Sequence, residues 1–117
     1  MARKLNRGGE GVRKANINTE GMEFVNLITY SNNGTKKLDI DGFFFKTGNF
    51  GKECVVIADG KLINMPARAV EEFQQILDDS ELTQALIDGK VYLENLSVFH
   101  DNKYNKDTPI YDLMVAD

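Results

Sequence analysis

Three consecutive phenylalanines, Phe43, Phe44 and Phe45, are the side chains of this 117-residue sequence whose type and spacing most directly suggest a function. Just upstream, at 38–41, apolar and acidic residues alternate as in a strand with one buried face. If this alternation continues, Phe44 points into the core, and Phe43 and Phe45 share the outer face, where two rings can stack on the bases of a single strand. A bulge at Gly42 would invert the pattern and leave only Phe44 outside. All three rings could also fill a core or a dimer interface.

Other aromatic and cationic side chains suit the same role. Phe50, Tyr92 and Tyr104 are further candidates for base stacking, and Tyr104 is the best of them because lysines flank it in a polar loop, 101–107, before the last strand. Cationic side chains would neutralise phosphates. The candidates are Lys36, Lys37, Lys46, Lys52, Arg68, Lys103 and Lys106, together with Arg3, Lys4, Arg7, Arg13 and Lys14 near the amino terminus.

The sequence contains no recognisable catalytic or metal-binding pattern. It has one cysteine, Cys54, and one histidine, His100, which leaves no internal disulfide, no metal cluster and no catalytic pair. Paired acids such as Asp39 and Asp41 lack a matching His, Lys or third carboxylate, and are typical of solvated faces. We therefore expect no enzymatic activity, no cofactor and no metal. Cys54 lies in an apolar run, which predicts a buried and unreactive thiol.

Charge is distributed unevenly along the chain. Residues 1–15 contain five cations and one acid, whereas residues 16–117 contain nine cations and seventeen acids. This asymmetry predicts a flexible basic arm, residues 1–15, on a single acidic domain, residues 16–117. The arm would contact a polyanion or an acidic partner. Alternatively, it is merely disordered. No apolar run is long enough to span a bilayer, and no apolar region follows the basic start, so we expect neither a membrane span nor a signal peptide. With one cysteine, we expect a reduced, cytoplasmic protein.

The elements that would position these side chains follow the order β-β-β-α-β-β. The predicted strands are 22–30, 37–46, 53–58 with its hairpin return 61–64, 90–99 and 110–115, and two helices fill the stretch from Pro66 to Gly89. A change of apolar parity predicts a bulge near residues 94–95. This order is typical of the OB-fold, a five-stranded barrel with one helical segment, and we therefore expect a mainly β, OB-like barrel. A β-grasp-like sheet would give a similar order.

Several short motifs carry a family resemblance. They are Phe50-Gly51-Lys52, 55–60, 63–68, 87–92 and a final strand with a tyrosine. Over residues 22–117 the chain resembles small single-stranded-DNA-binding-like proteins of phages and mobile elements of Gram-positive bacteria. The resemblance implies a non-enzymatic OB-type binder that acts as a homo-oligomer, a dimer or higher, in replication or recombination. Partners would be single-stranded DNA and replication or recombination proteins. The chain departs from this pattern in its acidic body and in its lack of a long acidic tail.

The sequence thus predicts a protein that binds single-stranded nucleic acid, most simply DNA, with little sequence preference. One alternative is an acidic phage protein-interaction module that binds or inhibits a host factor, with its acidic body imitating a phosphate backbone and the phenylalanines acting as an anchor. Another is a virion component whose basic arm enters a neighbouring subunit.

Overall fold

Strands dominate the computed structural model, which describes residues 11–14, 17–49 and 51–116. This mainly β composition, with few helices, is as predicted. The elements are β1 (Gly11–Arg13), β2 (Phe24–Asn26), α1 (Leu27–Asn32), β3 (Lys37–Asp39), β4 (Gly42–Gly48), β5 (Gly51–Ala58), β6 (Lys61–Asn64), α2 (Ala69–Asp78), α3 (Ser80–Ile87), β7 (Val91–Asp101) and β8 (Lys106–Val115). None of the described helices is long and apolar enough to cross a membrane.

The strands form two hydrogen-bonded sheets. Sheet A has the order β1-β4-β5-β6-β2, in which only the β2–β6 pair is parallel. Sheet B has the order β3-β7-β8 and is antiparallel throughout. The two sheets do not close into a single barrel through the described ladders.

The chain passes from sheet B to sheet A between Ile40 and Asp41. The amide of Ile40 donates to the carbonyl of Val91 on β7 at 3.1 Å, and the next amide, that of Asp41, donates to Ile57 on β5 at 2.7 Å. Successive residues therefore pair with different sheets. Because the alternation of side chains holds only within one sheet, the parity of β3 does not continue into β4.

The main core lies on the inner faces of the two sheets, and the phenylalanine cluster contributes to it. Phe43 is 1% exposed and Phe45 is 3% exposed. The ring centroid of Phe43 lies 5.0 Å from that of Phe73 on α2 and 5.6 Å from that of Phe45. Phe44 is half-buried on the opposite face. The outward orientation expected for Phe43 and Phe45 is therefore wrong, and the inverted orientation, the other alternative, is present. Its cause is the change of sheet after Ile40 rather than a bulge at Gly42, since β4 pairs with β5 without a register shift from Gly42 onward.

A smaller apolar cluster covers the outer face of sheet A. Three buried residues, Val55, Ile57 and Leu62, form its centre, and Ile17, Met22 and Phe44 pack against them. The segment before β2 is held there by Glu23, whose carbonyl accepts from the Leu62 amide at 2.9 Å. The apolar run of β5 is thus buried on both faces, as its sequence predicts.

Local sequence signals account for the turns and the helices. Asp59 and Gly60 both have positive φ, 53° and 69°, as a two-residue hairpin turn requires. The bulge predicted near residues 94–95 is present as a register shift between Glu94 and Ser97. Helix α2 buries one apolar stripe, and Asp79 caps α3 by accepting from the Glu81 amide at 2.9 Å.

Several predicted boundaries differ from the structure. The predicted strand 37–46 is divided between β3 and β4, which lie in different sheets, and the predicted loop 101–107 is shorter because β8 begins at Lys106. The predicted strand 22–30 is β2 followed by helix α1, which begins after the extended Asn26 and buries Leu27. At the amino terminus, Gly11–Arg13 pairs with β4, and Lys14 forms an ion pair with Asp41 at 3.0 Å. Residues 11–14 therefore belong to the fold rather than to an unstructured arm, and residues 1–10 and 15 lie outside the described residues.

Candidate nucleic-acid interface

Residues 64–67, which are the end of β6 and most of its connection to α2, line two surface grooves. Groove 1 has a volume of about 530 Å³ and is lined by residues 26–28, where β2 ends and α1 begins, by 64–68 and by 106–110 on β8. Groove 2 has a volume of about 420 Å³ and is lined by the same connection and by Lys46, Lys52, Glu53 and Cys54 on the β4–β5 hairpin. The grooves therefore adjoin each other between two hairpins, β4–β5 and β7–β8.

Cationic side chains outnumber acidic ones in these grooves. The cations are Lys46, Lys52, Arg68 and Lys106, and the acids are Glu53 and Asp107. Both acids have partners: Glu53 lies 3.7 Å from the ammonium of Lys46, and Asp107 lies 2.5 Å from Nδ1 of His100. The grooves are thus locally cationic on a chain whose net charge is −4. Phosphates would bind favourably to such a surface.

The structure fixes the position of several of these cations. Lys46 reaches from β4 to within 5.0 Å of the ring centroid of Phe24 on β2. Lys52 lies on the other face of the hairpin, where its ammonium is 4.9 Å from the Phe45 ring. Contacts of this kind between a cation and an aromatic face are favourable and restrict the long side chain.

Arg68 is held by Tyr111 on β8. Its Nη2 donates to the Tyr111 carbonyl at 2.9 Å, and its guanidinium lies 4.4 Å from the centroid of the Tyr111 ring. The Tyr111 hydroxyl in turn donates to the Glu72 carboxylate. Burial, followed by this hydrogen bond to the carboxylate, raises the pKa of Tyr111 well above its ordinary value, so the hydroxyl stays protonated and remains the donor. This network links the wall of groove 1 to α2.

Exposed aromatic rings lie on the strands and turns next to the grooves. Phe24 is 51% exposed, Phe99 is 55% exposed and Tyr104 is 68% exposed. Tyr104 lies in the β7–β8 turn with the Lys103 ammonium 5.3 Å from its ring, and its exposure agrees with the prediction. Sequence reasoning missed Phe24 and Phe99, since both lie in apolar segments that were expected to be ordinary strands.

The remaining predicted residues lie elsewhere. Lys36 and Lys37 flank the start of β3, and the Lys37 ammonium is 4.4 Å above the Tyr92 ring on the outer face of sheet B. Asp39 lies opposite Tyr92, and Glu94 lies opposite Lys37, so this face is not cationic. Phe43 and Phe45 are core residues, and Arg13 and Lys14 are bound to the fold around β1. Phe50, Arg3, Lys4 and Arg7 lie outside the described residues.

The one cysteine next to the grooves has no chemical role that the geometry supports. Cys54 is 2% exposed, and burial together with the nearby Glu72 raises the pKa of its thiol to about 12. A thiol that remains protonated is a poor nucleophile and a poor metal ligand. Within residues 11–14, 17–49 and 51–116, no group of three or more His, Cys, Asp or Glu side chains could hold a metal ion.

Comparison with known proteins gives no relative, since no family model, no curated protein and no solved structure matches this chain.

Proposed function

We propose that this protein binds single-stranded nucleic acid, most simply DNA, with little sequence preference, along grooves 1 and 2. The observation that carries the proposal is the convergence of four cations, against two acids, around residues 64–68. Glu53 is paired with Lys46, one of these four cations, and Asp107 is paired with His100, which lines neither groove. The grooves share residues 64–67, so a strand that crosses them would meet Lys46 and Lys52 on one side and Arg68 and Lys106 on the other. Salt-dependent affinity follows directly from such contacts.

We propose further that the fold is an open, OB-like barrel. In this assignment β3 and β4 are one bent first strand that joins the two sheets at Ile40–Asp41, and β5, β6, β7 and β8 are the second to fifth strands. Two observations support it. The helices α2 and α3 lie between the third and fourth strands, and the two hairpin turns beside the grooves are those that grip ligands in OB domains. The gap in the barrel would be groove 1, which lies between β6 and β8.

The rings proposed for base stacking differ in part from those expected from the sequence, since Tyr104 was predicted and Phe24 and Phe99 were not. Phe43 and Phe45 are buried, so the candidates are Phe24, Phe99 and Tyr104, all more than half exposed. Each stacked base would contribute about 1–3 kcal/mol without strong sequence preference. Participation in phage or mobile-element replication or recombination, in the cytoplasm and as a homo-oligomer, forms part of the proposal on the strength of the motif resemblance in residues 22–117.

The test is fluorescence anisotropy of a labelled dT oligonucleotide at several salt concentrations, with a duplex as a control ligand. A plot of log affinity against log salt should have a negative slope, and Lys46→Gln or Lys106→Gln should make that slope shallower by about 0.7 for each phosphate that is no longer neutralised. Lys90→Gln is the matched control, because Lys90 is exposed and lines neither groove. Absence of binding, or an unchanged slope in both groove variants, would contradict the proposal.

A second candidate function has its own observation. Phe99 and Ile110, which are 55% and 39% exposed, are diagonal neighbours on the outer face of the β7–β8 ribbon. The acids Glu94 and Asp112 continue that face. An apolar pair bordered by acids suits a protein-interaction module whose partner is basic, such as a host factor. The same titration separates the two functions, since such a module would show no affinity for dT.

A further inference from the structure

Two asparagines face each other at the edge of groove 1. Asn26 ends β2 and Asn64 ends β6, and the parallel register places them directly opposite each other. Nδ2 of Asn64 donates to Oδ1 of Asn26 at 3.3 Å, and both residues line the groove. Within the described part of the chain, this bond leaves the Oδ1 acceptor of Asn64 and the Nδ2 donor of Asn26 without hydrogen-bond partners. Exchanging O and N in both amides would still leave one donor beside one acceptor.

The rest of groove 1 supplies complementary surfaces. Its walls are largely apolar and are formed by Leu27, Ile28, Met65, Pro66, Pro109 and Ile110. Arg68 and Lys106 add positive charge. A volume of about 530 Å³ lies within the range of small-ligand sites, which combine apolar walls with a few convergent polar groups. A nucleotide has matching parts, namely flat apolar base faces, a base edge with adjacent donor and acceptor, and a phosphate.

We propose that groove 1 holds one unpaired nucleobase of the bound strand and that Asn26 and Asn64 bind its Watson–Crick edge. This inference rests on the proposed function and identifies the part of the ligand that the groove recognises. Each of the four bases carries a donor next to an acceptor on this edge, so the amide pair tolerates all of them. A duplex is rejected, because its Watson–Crick edges are already paired.

The experiment compares a labelled dT oligonucleotide with one in which every thymine is N3-methylthymine. Methylation removes the N3–H donor but keeps the phosphates and the ring faces, so the wild-type protein should bind the methylated strand about tenfold more weakly. Asn26→Ala and Asn64→Ala should each bind dT about tenfold more weakly. Methylation should cause little further loss in Asn64→Ala, which lacks the acceptor for N3–H, but should still weaken binding by Asn26→Ala, which keeps it. Asn32→Ala, at the exposed end of α1, is the matched control and should behave as wild type.

The possible results are distinguishable. If wild type binds dT with a negative salt slope but neither methylation nor the two asparagine variants weaken binding, the base-edge inference is wrong and the proposed function stands. If wild type does not bind dT at any salt concentration, both are wrong. If free thymidine 5′-phosphate binds as tightly as the oligonucleotide, with the same dependence on Asn26 and Asn64, the ligand of groove 1 is a free nucleotide. The inference that the groove holds a base of a bound strand is then wrong.

Discussion

Replacing Phe43 by alanine tests the placement on which the revised interface depends. Phe43 is 1% exposed and packs edge-to-face on Phe73, with ring centroids 5.0 Å apart. Removing a ring from such a site costs about 3–5 kcal/mol of unfolding free energy, because a cavity remains. A chain of this length has an unfolding entropy near 2.1 cal/mol/K per residue, so each kcal/mol lowers the Tm by about 4 °C and the expected drop is about 12–20 °C.

The assay is urea and thermal unfolding followed by circular dichroism, with dT binding measured well below the Tm of the variant. Phe44→Ala is the matched control, because Phe44 is only half-buried and should cost about 1–2 kcal/mol. Folded Phe43→Ala should bind dT as wild type does. If Phe43→Ala keeps the wild-type Tm but no longer binds dT, the Phe43 ring lies in the interface and the burial argument is refuted. The alternation at 38–41, taken alone, predicts that result.

Two further predictions concern the buried thiol and a helix cap. Burial raises the pKa of the Cys54 thiol from 9.0 to about 12. The unfolded chain therefore loses this proton first, and the free energy of unfolding should fall as pH rises from about 9 to 12. In thermal melts between pH 8 and 11, the Tm of Cys54→Ala should fall less than that of wild type, and an equal fall in Tm would exclude the thiol as the cause. Asp79→Ala removes the acceptor that caps α3 and should lower the free energy of unfolding, measured in urea, by about 1 kcal/mol. Asp88→Ala, at the other end of the helix, is the control and should change it little. Equal losses of unfolding free energy in the two variants would argue against the cap.

Features set by neighbouring residues were predictable from the sequence. The Asp59-Gly60 turn follows from the φ values that these residue types tolerate, and the bulge before Ser97 follows from a change of parity within one strand. Helix α1 was not predicted, since its residues favour strands by composition. Burial of Leu27 against the core outweighs that weak local preference.

Features set by distant residues were not predictable. The orientation of Phe43 depends on hydrogen bonds from Ile40 and Asp41 to two different sheets, one of them to Val91, which is far away in the sequence. Periodicity contains no sign of such a switch. The cations of the grooves were recognised by type, but their grouping around 64–68 depends on the β4–β5 hairpin, the start of α2 and β8 coming together. The pairing of Asn26 with Asn64 depends on a parallel register that no local pattern indicates.

The acidic total charge does not exclude a polyanionic ligand, because cations outnumber acids where the grooves lie. Of the acids that the structure describes, Glu53 and Asp107 line the grooves, against four cations. Asp39, Glu94 and Asp112 lie on the outer face of sheet B, whereas Lys46 and Lys106 line the grooves. At physiological salt, charges more than about 8 Å apart are largely screened, so the local cations dominate what a phosphate experiences. With few cations available, counterion release contributes less than in a strongly basic binder. Under the proposed function, a larger share of the affinity would then come from the exposed rings Phe24, Phe99 and Tyr104 and from the base-edge contacts proposed for groove 1.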